Sequence, residues 1–184
     1  MRNCLRVQLA TGYGQEGVIV VEPFRICVAD EVLNDLRARL RKARWPDQIP
    51  GIGWEQGTEL NWLQRLVSYW AHEFDWRGWE RRLNLFDHFT WQDIHFVYQR
   101  AKSGKGLPLI LTHGWPSSFL DYMDMLPMLE HFDLVVPSLP GYGFSTRPSQ
   151  VGINYRYVSE RWHRLMADLG YSRYGASGNT LGLE

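Results

Sequence analysis

The sequence predicts an α/β protein in which a helical N-terminal region precedes a wound, largely parallel sheet. Three observations point there. Residues 107–111 (Leu-Pro-Leu-Ile-Leu) form an unbroken apolar run bounded by Gly106 and Gly114, too short for a helix and suited to a strand buried on both faces. Residues 132–136 make a second strand of this kind, stopping at the turn Pro137-Ser-Leu-Pro-Gly-Tyr-Gly-Phe144. Elsewhere apolar residues recur at helical spacing, giving helices first and then strand, strand, helix, strand, helix, strand. Ligands of such sheets sit beyond the carboxyl ends of the strands, so the turns after residues 111 and 136 mark one candidate pocket.

The elements follow in order. Residues 1–22 hold Gly12, Gly14 and Gly17 without sustained periodicity, and no Gly-Lys-Ser/Thr follows to make a phosphate loop, so they read as a loose leader. Residues 24–28 alternate like a short strand. Asp30 then suits an N-cap for a helix through Val32, Leu33, Leu36 and Leu40, ended by Trp45-Pro46. After a turn-rich loop over 47–57, Leu60, Leu63, Leu66, Val67 and Trp70 outline a second helix. Residues 74–86 predict a shorter helix broken near Gly78, with its tryptophans as packing anchors.

From Phe89 to Tyr98 the period becomes two, with Ile94, Phe96 and Tyr98 on one face and His95 and Val97 on the other. His95 reads as a packed or surface histidine without a role. Pro116 suits the first turn of a helix after the 107–111 strand. Residues 155–170 return to helical spacing through Tyr157, Val158, Trp162, Leu165, Met166 and Leu169, and 171–176 allow one more strand. The expected domains are thus the leader (1–22), a helical region (23–88) and the sheet region (89–184).

Composition sets limits on function. The chain has 184 residues, 45% hydrophobic and 14% aromatic, enough for a sizeable core. Twenty basic and twenty acidic residues cancel, so no nucleic acid or acidic lipid surface is implied. The cluster Arg37, Arg39, Arg41, Lys42 and Arg44 reads as a solvated helix face. Cys4 and Cys27 are too few for a disulfide framework and match no zinc spacing. No membrane span or signal-peptide core is evident, so a soluble, cytoplasmic protein without cofactor or metal is expected.

Several motifs together are specific: Arg44-Trp-Pro-Asp47, Asp93-Ile-His-Phe-Val97, His113-Gly-Trp-Pro116, the stretch from Phe132 to Ser145, and Tyr174-Gly-Ala176. In these the sequence resembles an α/β-hydrolase-fold epoxide hydrolase of the microsomal type, matching its N-terminal extension and the first half of its catalytic domain. The fold implied is a partial α/β-hydrolase sheet. The implied activity, a detoxification chemistry, opens a small-molecule epoxide with an enzyme carboxylate. A His with an acidic partner then directs water onto the ester to release a vicinal diol. The resemblance also implies that the backbone amides of Trp115 and Leu181 form the oxyanion hole. His113 is then a turn-shaping residue that transfers no proton.

The sequence departs from this pattern at the nucleophile. The elbow reads Gly178-Asn-Thr-Leu-Gly182, with Thr180 where the resemblance implies Asp. Attack by Thr on an epoxide carbon would leave an ether that water does not cleave, and a β-branched residue fits a positive-φ elbow badly. A second register, Gly175-Ala-Ser-Gly-Asn179, offers Ser177 as the nucleophile of an ester hydrolase. Beyond the elbow stand Leu183 and Glu184. The acid, the water-activating His and the lid tyrosines of the pattern have no counterpart, although Tyr122 and Tyr142 are available. The expectation is therefore a truncated, catalytically inactive form, from a frameshift or gene fragment, with an open sheet edge prone to self-association. A non-catalytic interaction module is the reading from another class.

Overall fold

The computed structural model describes residues 21–178. It divides into two compact units, one of Ile26–Leu83 and one uniting the residues up to Arg25 with those from Asn84 onward.

The first unit is helical, with α1 at Asp30–Arg41, α2 at Leu60–His72 and α3 at Trp76–Leu83. Asp30 is not the cap of α1: Ala29 holds that place without a side-chain bond, and Asp30 enters the first turn to pair with Arg77 of α3. A carboxylate there still favours the helix dipole. The helix stops at Arg41, before Trp45-Pro46. Glu59 caps α2 by accepting from Asn61 N (2.9 Å) and Trp62 N (2.6 Å). Helix α3 runs through Gly78 without the expected break. Gly78 lies in its first turn, where Asp75 Oδ1 accepts the Gly78 N–H (2.9 Å) at an approach that a Cβ would obstruct. Trp76 donates to Glu80 (3.2 Å), but Trp79 is exposed beneath the Arg82 guanidinium, so it is not the buried anchor its spacing suggested.

The second unit is a six-stranded sheet: β1 (Val21–Phe24), β2 (His88–Trp91), β3 (Ile94–Gln99), β4 (Leu107–Thr112), β5 (Phe132–Pro137) and β6 (Gly175–Gly178), ordered β1-β2-β3-β5-β4-β6. It is mixed. The first three strands and β5 pair antiparallel, while β4 lies between β5 and β6 and is parallel to both. The N-terminal third is thus not all helical. Strand β1 pairs with β2 and begins at Val21, inside the expected leader and earlier than the alternation over 24–28 placed it. The strand expected over 89–98 is a hairpin. Its turn, Gln92-Asp93, carries none of the usual glycine or asparagine signals, and Gln92 has φ +54°. Arg161 of α4 (Tyr155–Asp168) pins that turn by donating to Gln92 Oε1 (2.6 Å), pairing with Asp93 and stacking 4.6 Å over Trp91.

Both faces of the sheet are covered. On one, Ile94, Phe96, Ile110 and Val135 pack with Trp162, Leu165 and Met166 of α4. The other carries His95 and the segment between β4 and β5. That segment holds two short 3-10 turns, Phe119–Tyr122 and Leu126–Leu129, where the sequence predicted a helix. Pro127, which has no N–H to donate, opposes a continuous α-helix there. No helix among the described residues is long and apolar enough to cross a membrane.

Candidate active site

Register brings three chain segments to one edge of the sheet. Because β4 and β5 are parallel, with Ile110 opposite Val135, the turns that follow them lie side by side. On the other flank β6 sets Gly178 opposite Thr112, one residue before His113. The two turns expected to share a pocket are also bonded to each other: Leu139 N–H donates to His113 Nε2 (3.1 Å), and the Tyr142 and His113 rings lie 5.4 Å apart.

His113 is buried, and its tautomer follows from its partners. Nε2 accepts from Leu139, so the proton sits on Nδ1, which faces Gly114 O at 3.2 Å. Burial lowers its pKa, with the Gly114 carbonyl pulling in the opposite direction. The ring nitrogens of His113 are thus occupied in shaping the turn. Ser117 N–H donates to Gly114 O (2.9 Å), the Trp115-Pro116 peptide is cis, and the Trp115 side chain is 70% exposed. Among the described residues the Trp115 N–H meets no acceptor. An unengaged backbone donor just beyond the end of an interior strand is what an incoming oxyanion needs.

The other sequence candidates fall differently. Thr180 and Leu181 lie outside the described residues. Ser177 sits inside β6 opposite Leu111, in extended backbone, with no turn at that position. Tyr122 is not an available phenol, since its hydroxyl donates to Thr112 O (2.9 Å) and burial raises its pKa. No group of three or more His, Cys, Asp or Glu among the described residues could hold a metal ion.

His95, to which the sequence pattern assigns no role, sits in an unusual environment. It is fully buried beside Ser138, the first residue after β5, and its pKa is lowered to about 3 by burial and by His88. Alternation marked it as inward or outward facing, but the partners that make the position unusual come from 43 and 50 residues away.

Comparison with known proteins gives the site a context. Residues 21–122 match the model of the epoxide hydrolase N terminus, and residues 108–182 that of the alpha/beta hydrolase fold. A putative epoxide hydrolase of Stigmatella aurantiaca is 38% identical over 177 residues, covering 88% of this chain and 40% of that protein. Juvenile hormone epoxide hydrolase 2 of Ctenocephalides felis is 34% identical, covering 94% and 40%. Among solved structures, the juvenile hormone epoxide hydrolase of the silkworm Bombyx mori superposes with a TM-score of 0.79 at 32% identity, covering 87% of this chain and 46% of that one. The Aspergillus niger epoxide hydrolase gives 0.75 at 34%, with the same coverage. The chain therefore spans about 40% of the length of the curated relatives it matches.

Proposed function

Since the chain belongs to the epoxide hydrolase N terminus family and continues into an alpha/beta hydrolase fold, we propose that it carries the oxyanion wall of an epoxide-hydrolysing site, without a nucleophile able to complete the cycle. The observation that carries this reading is the register. It sets the His113–Trp115 turn beside the end of β6, two residues before the position where the nucleophile belongs.

In this reading the Trp115 and Leu181 amides receive the charge that develops when an enzyme ester of a small epoxide is hydrolysed. Thr180 stands at the nucleophile position. A carboxylate there would open the epoxide by forming a carbon–oxygen bond as the ring bond breaks, and the resulting ester yields to water. The hydroxyl of Thr180 would form an ether instead, its proton passing to the released alkoxide, and water does not reverse that step. Diol formation from an aryl epoxide such as styrene oxide tests this. The purified chain is expected to release no diol above buffer, and peptide mapping to show no modified Ser177. Sustained turnover would contradict the assignment at Thr180, and epoxide-dependent labelling at Ser177 would favour the serine register.

A further inference from the structure

A buried polar chain crosses the sheet beside the candidate site. His88 Nδ1 lies 2.9 Å from His95 Nε2, and His95 Nδ1 lies 2.8 Å from Ser138 Oγ. The main chain closes the arrangement: Ser138 N–H donates to His95 O (2.8 Å), His95 N–H donates to Ser145 Oγ (3.0 Å), and Ser145 Oγ donates to Ser138 O (2.8 Å). One residue of β3 thereby grips both ends of the loop 138–145. The rings of Phe24, Phe119 and Phe144 surround the imidazole, with centroids 5.1, 5.0 and 5.3 Å away. Phe119 comes from the segment just after Trp115-Pro116, and Phe144 from the loop itself.

A phenylalanine would fill such an aromatic box without burying polar atoms. Histidine there requires two ring nitrogens to leave water, tolerable because each meets a partner. We infer that His95 is a positioning residue for the oxyanion turn, fixing through Ser138 and Ser145 the loop whose Leu139 N–H and Tyr142 ring hold His113. The route is continuous: His95 bonds Ser138, Leu139 is the next residue, its N–H holds His113 Nε2, and Gly114-Trp115 follow directly. A loop displaced from His95 would carry Leu139 away from His113. A buried imidazole nitrogen would lose its donor, and the turn that aims the Trp115 N–H would lose its support.

The inference rests on the proposed function only in taking this turn as the site. It is read without turnover, so its failure and that of the epoxide chemistry are separable. The test is NMR of the 15N-labelled full chain, following exchange of the Leu139 amide and the His113 Nε2 resonance. With the thermal transition retained, Ser138→Ala is expected to speed Leu139 exchange about fivefold, as loss of a neutral hydrogen bond implies, and to shift His113 Nε2. His95→Phe should do the same, whereas His95→Asn, which keeps a polar group where Nδ1 stands, should lie closer to the parent. A pure packing role predicts the reverse order, with Phe tolerated and Asn damaging. That order, or unchanged exchange in folded Ser138→Ala, overturns the inference. Should His95→Phe fail to fold, Ser138→Ala decides alone.

Discussion

His95 and His113 are both kept neutral by burial, and this ties the stability of the sheet unit to pH. The sign follows from linkage. An unfolded histidine binds a proton near pH 6.5, while folded His95 does so only near pH 3, so between these values the unfolded state holds the extra proton. The contribution is fully present above about pH 6.5 and falls by about 1.4 kcal/mol per pH unit as pH drops towards 3. Urea unfolding at pH 7 and pH 5 should show a loss of about 2 kcal/mol from His95, with His113 adding to it in the same direction. The His95→Asn chain should lose correspondingly less between the two pH values. An equal loss in both chains would show that His95 is not the titrating group. Tyr171 illustrates the same physics with the opposite sign of charge: its hydroxyl donates to buried Asp133 (2.7 Å), and desolvation raises its pKa far above the usual phenol range.

Among the elements, the loop after β5 leaves little room for a side chain at Gly143. Gly143 has φ +51°, and a Cβ there would stand 2.7 Å from Ser138 Oγ, the atom that bonds His95. Gly143→Ala should therefore destabilise the chain by about 1–2 kcal/mol through backbone conformation alone, with the close contact adding to it. A urea midpoint within error of the parent would contradict this. In the helical unit, Asp75→Ala removes the acceptor of Gly78 N–H and should cost about 1 kcal/mol, seen as fraying of α3 by amide exchange. The elements that sequence revealed are those whose stabilising pattern is local: β4 from its apolar run, α2 and α4 from periodicity, and the alternation that puts Ile94 and Phe96 opposite His95 and Val97. The hairpin at Gln92-Asp93 was hidden because its stabiliser, Arg161, lies almost 70 residues away. β1 was expected a few residues too late because a four-residue strand takes its bounds from pairing with β2. At the site, the turn after β4 was legible from His113-Gly-Trp-Pro, whereas the His95 network depends on strand register that no short window contains.

Across the molecule, the sheet brings the ends of β4, β5 and β6 together and leaves an unengaged donor at Trp115, while in the proposed reading Thr180 stands where epoxide chemistry needs a carboxylate. Among the described residues β6 pairs on one side, with β4. The oxyanion wall itself is tested most directly by titrating the 15N-labelled chain with phenylacetate, whose carboxylate and aromatic ring stand in for the charged oxygen and its substituent. A saturable downfield shift of the Trp115 amide is expected, with smaller changes at Gly114 and Leu139. A Trp115 amide that stays still while resonances elsewhere respond would contradict it.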